Sequence, residues 1–294
     1  MWPMDQQNWL AEQFEAQRKH LQAVAYRMLG SLNEAEDAVQ ETWLRFSRTD
    51  ASSVQNLGGW LTTIVSRVCV DMMRSRKSRR EELAGPDLPA VATNRDDGTD
   101  PEQEALMAES VGLAMLVVLD RLTPAERIAF VLHDIFALSF TEIAPIVNRT
   151  EAAARQLASR ARRRVHGEET APNPDRENHR KLVDAFLTAS KTGDFVALLN
   201  VLDPDVILRN DPAFIPAALS PEIRGAESVA KQFLGRAQSV RPLLINGDVG
   251  AVAASRGRLW FVLAFSFRNG KITHIELIAD AKRVGQLELA VLSD

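Results

Sequence analysis

The 294-residue chain has a single cysteine, Cys69, which excludes an intrachain disulfide framework and a multi-thiolate zinc site. Its histidines, His20, His133, His166, His179 and His274, are scattered, so neither a metal nor a cofactor is expected. No apolar run approaches the roughly 20 residues needed to cross a bilayer. The opening Met-Trp-Pro-Met-Asp-Gln-Gln lacks the basic-then-apolar pattern of a signal peptide, so a cytoplasmic location with no membrane partner is expected. Internal repeats and low-complexity tracts are also missing. What remains is an ordinary globular composition, 46% hydrophobic and 25% charged, long enough for two or three domains of about 100–150 residues.

An overall basic excess is lacking too, since the net charge is −4. Evenly spread, that charge would argue against nucleic acid, but it is divided into blocks. Residues 74–80 carry five basic side chains and no acid, and 155–164 carry Arg155, Arg160, Arg162, Arg163 and Arg164 with no acid. Between them, residues 81–109 hold nine acids against Arg95 alone. An acidic segment, Glu34 to Glu41, stands directly before the first basic block. Opposite charges on adjacent helices point to two partners, one basic and one a polyanion.

Periodicity places Phe14, Leu21, Val24, Ala25, Met28 and Leu29 on one helical stripe ended by Gly30. Asn33 is expected to cap the next helix, whose first turn holds Glu34, Glu36 and Asp37. After a polar loop at 47–58, a third helix turns Leu61, Ile64, Val65, Val68 and Met72 inward. Residues 81–105, with Gly85-Pro86 and Asp100-Pro101, form an acidic linker.

Thr123-Pro124-Ala125-Glu126 and Ser139-Phe140-Thr141-Glu142 each open a helix with a capping box. Asn148-Arg149 makes a tight turn, and Thr150 caps a longer helix to about Val165. A short helix, a turn and a longer basic helix form a helix-turn-helix, the arrangement that reads a major groove. A helical bundle with a solvated Arg-rich tail is the plainer alternative. Ala152-Ala153-Ala154 favours groove binding as a small flat face from which Arg155 and Ser159 project. Thr150, Glu151 and Arg155 are expected near bases, and Arg149, Arg160, Arg162 and Arg163 near phosphates.

From about residue 176 two helices precede strands near 205–209, 240–246, 249–254, 258–267 and 271–279. Asn246-Gly247 and Asn269-Gly270 signal hairpins. A curled antiparallel sheet is expected in an α+β domain.

The segment Ala35-Glu-Asp37-Ala-Val-Gln40-Glu41-Thr-Trp-Leu, followed by Trp60 to Arg74, resembles the sigma-2 domain of extracytoplasmic-function (ECF) sigma factors. Residues 119–164 resemble their sigma-4 domain, and the last third looks like a SnoaL-like domain of NTF2-like fold. The implied organisation is multidomain: sigma-2 over 1–82, a linker over 83–108, sigma-4 over 109–168 and an α+β SnoaL-like cone over 176–294. The resemblance implies a sigma factor that binds core RNA polymerase and promoter DNA, not an enzyme. It places Asp37, Gln40, Glu41 and Arg45 against the clamp helices of the β′ subunit, and sigma-4 against the β flap. Loop 47–58 would hold a flipped base of the −10 element with Asn56 as reader. Arg67, Arg74, Arg76, Lys77, Arg79 and Arg80 would supply cations there, with Trp60 as a core anchor. Sigma-4 would take the −35 element through residues 149–163. The linker would thread the polymerase interior.

The motifs of the ECF subgroup that carries a SnoaL-like domain are eroded here to Asn210-Asp211-Pro212-Ala213 and Ala279-Asp280-Ala281-Lys282-Arg283, and in the linker to Gly85-Pro86-Asp87-Leu88-Pro89. A small ligand or an anti-sigma factor is an open partner. His274 and Glu276 share a strand face with Ile272 and Ile278, so a general acid–base pair facing a cavity is conceivable, and a plain polar pair is favoured. Two other functions stay open: a one-component helix-turn-helix regulator with a ligand-sensing NTF2-like domain, and a SnoaL-like isomerase or cyclase.

Overall fold

A computed structural model describes residues 4–49, 56–83, 112–167, 175–212, 220–237, 240–255 and 258–292, with side chains 4–7, 76–83, 255 and 258 set aside. Most of the acidic linker, including Gly85 to Pro89, and the flipped-base loop between 50 and 55 lie outside the described residues, as does Ala213. The chain divides into two compact units. Met1–Val111 and Leu119–Ala161 form one, and Gly112–Val118 with Arg162–Asp294 form the other.

The first unit begins with α1 (Met4–Leu29), α2 (Leu32–Phe46) and α3 (Leu57–Leu83), which pack pairwise. The expected stripe on α1 is buried throughout, together with Leu61, Val65 and Val68 of α3. Met73, rather than Met72, completes the α3 seam, because it follows Cys69 by four residues and Cys69 is itself buried. The rings of Phe14, Trp43, Phe46 and Trp60 form a chain with centroids 5.2–6.1 Å apart, so Trp60 packs edge-on to Phe46. The cap of α2 is Ser31, not Asn33: Ser31 is extended and its hydroxyl accepts from Glu34 N.

The short helix α4 (Leu113–Asp120) precedes α5 (Pro124–Phe130), which runs on into a π turn at Val131–Ile135. α6 (Phe140–Val147) and α7 (Glu151–His166) follow, separated by Asn148 in the left-handed conformation at φ 53°. Both capping boxes are made, at Thr123–Glu126 and Ser139–Glu142. α7 buries Ala154, Ala158, Ala161 and Val165 at helical spacing. The three consecutive alanines therefore do not form one flat face. Successive residues are rotated by about 100°, so Ala154 enters the core while Ala152 stays exposed.

Within this unit α3 also packs against α5 and α6, and α1 against the π turn. Arg127 is buried there, and its Nε donates to Arg27 O at 3.0 Å near the C-terminal end of α1. A carbonyl of the last helical turn lacks an intrahelical donor and sits at the negative end of the helix dipole, so a guanidinium is a suitable partner. Arg27 in turn lies over Phe136 at 5.4 Å.

The second unit contains α8 (Arg176–Thr192), α9 (Phe195–Val201) and α10 (Ala226–Phe233). Its sheet comprises β1 (Leu202–Asn210), β2 (Glu222–Arg224), β3 (Val240–Ile245), β4 (Asp248–Ser255), β5 (Arg258–Arg268), β6 (Lys271–Ile278) and β7 (Leu289–Ala290), with α11 (Ala281–Gln286) before the last strand. The strand order is β2-β1-β6-β5-β4-β3-β7. The sheet is mixed rather than purely antiparallel, because β1 pairs parallel with β6. Both hairpins turn as expected on Asn-Gly, with φ of 51° and 85° at Asn246-Gly247 and 53° and 69° at Asn269-Gly270. One core fills the space between helices and sheet, including Val183, Phe186, Leu198, Val206, Leu208, Leu263, Ile275 and Leu277.

Candidate nucleic-acid interface

On α2, Asp37 and Gln40 are exposed and Glu41 is half-buried, all on the face away from Ala35, Ala38, Val39 and Thr42. Arg45 lies one turn beyond Glu41 and is tied to it, Nε to Oε1, at 2.8 Å. Leu44 shares this wet face and is 46% exposed. Sequence reasoning missed it, although it lies three residues past Glu41, where a helix surface neighbour must fall. An apolar side chain set among acids is a typical contact for a protein partner, where it adds area that charge alone does not.

On α3, Arg67, Asp71 and Arg74 are exposed along one line. Arg76, Lys77, Arg79 and Arg80 continue the helix, but their side chains lie outside the described residues. Asn56 has a local role in this structure: its Oδ1 accepts from Gly59 N at 3.0 Å and so caps α3.

The helix-turn-helix brings the second set together. Arg149, Thr150 and Glu151 are exposed at the turn, and Arg155, Ser159, Arg160, Arg162 and Arg163 are exposed along α7. Thr150 Oγ1 accepts from Ala153 N at 3.2 Å, which fixes the start of α7. Glu151 in the first turn suits the positive end of the helix. The guanidinium of Arg155 lies over the ring of Phe140, 5.3 Å from its centroid.

In the second unit His274 and Glu276 border a shallow recess of about 150 Å³ with Arg209 and Ser266. They do not share a face with Ile272. The register shifts between Ile272 and His274, so Ile272 joins the helix-side core while His274 and Glu276 point to the opposite face. Glu276 Oε1 accepts from Arg283 Nη2 at 2.6 Å, an ion pair that raises the arginine's pKa. The buried Asp211 accepts from the backbone N–H of Ala279 and Asp280 at 3.1 and 3.0 Å and has Arg283 at 3.5 Å. The two eroded motif positions, 210–211 and 279–283, are therefore one cluster in space.

A larger open recess of about 560 Å³ lies between the first turns of α8 and the β5–β6 turn. His179 borders it, stacked on Phe267 at 3.9 Å and 2.9 Å from Asp248 Oδ1. No sequence signal distinguished His179 from the other scattered histidines. Among the described residues no cluster of His, Cys, Asp and Glu could hold a metal ion, and no helix is long and apolar enough to cross a membrane.

Family models for Sigma-70 region 2 and Sigma-70, region 4 match residues 14–79 and 113–165. The ECF RNA polymerase sigma factor SigJ of Mycobacterium tuberculosis (strain ATCC 25618 / H37Rv) is 37% identical over 284 residues, covering 91% of both chains. The probable ECF RNA polymerase sigma factor SigI of the same strain is 33% identical over 291 residues, covering 97% of this chain and 98% of its own. The crystal structure of the M. tuberculosis extracytoplasmic function sigma factor SigJ aligns over 94% of this chain and 98% of its own, at 34% identity and a TM-score of 0.43.

Proposed function

The chain belongs to the ECF RNA polymerase sigma factors, and from that premise we propose how its surfaces divide the work of promoter recognition. The wet face of α2, with Asp37, Gln40, Glu41, Arg45 and the exposed Leu44, meets the clamp helices of the polymerase β′ subunit. Arg67 and Arg74 of α3, continued by Arg76, Lys77, Arg79 and Arg80, meet the −10 element as its strands separate, with Asn56 beside the flipped base. Arg149, Thr150, Glu151, Arg155, Ser159, Arg160, Arg162 and Arg163 take the −35 element, on a sigma-4 domain that leans on the β flap. The domains run 1–82, 83–108, 109–168 and 176–294, and the protein works in the cytoplasm.

The observation that carries this reading is the segregation of exposed charge: acids with a leucine on α2, cations on α3 and α7. The C-terminal SnoaL-like domain acts in cis as a regulator without turnover, and its Glu276 serves as an ion-pair partner of Arg283. An anti-sigma factor or a small ligand would be a further input.

Charge reversal at Asp37 and Glu41 together should weaken core-polymerase binding by about 3 kcal/mol, read by co-purification and titration. Binding that survives this change would remove α2 from the interface. Run-off transcription comparing the full chain with chains ending near 168 and near 285 gives the sign of the C-terminal control. Equal activity in all three would rule out regulation in cis.

A further inference from the structure

Arg155 stands on the exposed face of α7, one turn past its start, and its guanidinium lies 5.3 Å from the centroid of the Phe140 ring. That ring is itself fixed. Phe140 is the first residue of α6, whose capping box closes with Glu142 N donating to Ser139 Oγ and Ser139 N donating to Glu142 Oε2. The imidazole of His133 packs on it with centroids 4.0 Å apart and planes 31° apart. His133 Nδ1 lies 2.9 Å from Leu138 O, and since a carbonyl oxygen only accepts, that nitrogen carries the hydrogen. The π turn, the imidazole, the phenyl ring and the arginine thus form one continuous support.

A guanidinium that stacks on an aromatic ring uses its flat face and keeps its N–H edge free. The edge is the part that donates two parallel hydrogen bonds to guanine O6 and N7 in a major groove. A solvent-exposed arginine otherwise loses rotamer freedom when it meets a base.

We propose that Phe140, braced by His133, is a positioning residue for promoter reading: it holds the Arg155 guanidinium on its face so that the edge meets a guanine of the −35 element. This rests on α7 being the −35 reader. The assignment makes Phe140, which touches no base in this role, a determinant of sequence preference rather than of general DNA affinity.

The test uses the full chain assembled with core polymerase and a double-stranded promoter library randomised across the −35 element, sequencing the bound fraction. Arg155→Ala should erase a guanine preference at one position. Phe140→Leu should lower that same preference about three-fold while Phe140→Trp keeps it, as expected for a lost or retained π face. In the Arg155→Ala background Phe140→Leu should change nothing further. If Phe140→Leu leaves the preference intact, or alters it equally with and without Arg155, the positioning role is overturned while the reader survives. If Arg155→Ala leaves the profile unchanged, the reader assignment itself fails and the inference goes with it. Melting curves of each variant separate a folding defect, which would depress all positions together, from loss at one.

Discussion

In the second unit, three arginines beside the sheet are matched by carboxylates: Arg209 and Arg224 both reach Glu222, and Arg283 reaches Glu276 and Asp211. Glu222 shows the consequence, since hydrogen bonds from Arg224 and Arg209 hold its carboxyl below the usual range. On α3 and α7 of the first unit, Arg67, Arg155 and Arg160 are exposed and meet no carboxylate among the described residues. The pairs at Glu222 and Glu276 are exposed, and such pairs are modest glue rather than a source of stability. Rows of like charge on a helix are mildly unfavourable in isolation, and they become favourable when phosphates arrive and counterions leave. The proposed interface thus differs from these sheet arginines in leaving its cations exposed without a carboxylate.

The contrast can be broken from either side. The largest expected effect is steric and confined to the second unit. A Cβ at Gly250 would overlap Ile245 Cδ1 and lie 2.8 Å from Leu263 O, so Gly250→Ala should destabilise that unit by about 3 kcal/mol. Calorimetry should show its transition moving while that of the first unit stays. Asp211→Ala comes next, at about 2 kcal/mol in denaturant unfolding, because two backbone N–H groups lose their buried acceptor. An unchanged midpoint would mean that water replaces the carboxylate there.

In the first unit Arg127 is a buried and bonded arginine. Arg127→Ala should cost about 2 kcal/mol by the same measurement, whereas Arg160→Ala should cost almost nothing. The smallest effect is a pH dependence at His20, which is edge-on to Phe136 and 3.1 Å from Thr62 Oγ1. Burial, with Arg27 nearby, holds this imidazole below its usual 6.5. The unfolded chain therefore binds the proton more readily, so this contribution is intact above pH 6.5 and is lost as pH falls below it. Melting temperatures at pH 7.5 and 5.5 should diverge less in His20→Gln than in the parent.

Local signals were legible where one residue type carries the physics. Thr123 and Ser139 made their capping boxes, and both Asn-Gly pairs took positive φ. The helical stripe of α1 was legible because a 3.6-residue period averages over many positions. The misreadings came where two candidates lay side by side or where a neighbour decided. Ser31 outcompeted Asn33 because Gly30 ends α1 at φ 76° and leaves Ser31 extended. The parallel placement of β1 beside β6, the short strands β2 and β7 and the register shift at Thr273 are pairing decisions with no mark in the strands themselves. For the same reason the candidate site residues could be named only as a list, without the exposure of Leu44 or the seat of Arg155 on Phe140.

By itself the sequence determined the charge segregation, the helix-turn-helix and the order of helical and strand-bearing regions. All of these depend on side chains a few residues apart, where spacing and propensity suffice. Tertiary structure alone decided how Asp211 gathers residues 279–283, and that Arg127 is buried against the end of α1. Those outcomes depend on groups about 70 to 100 residues apart meeting in a medium that penalises unpaired charge, and no local pattern encodes such a meeting.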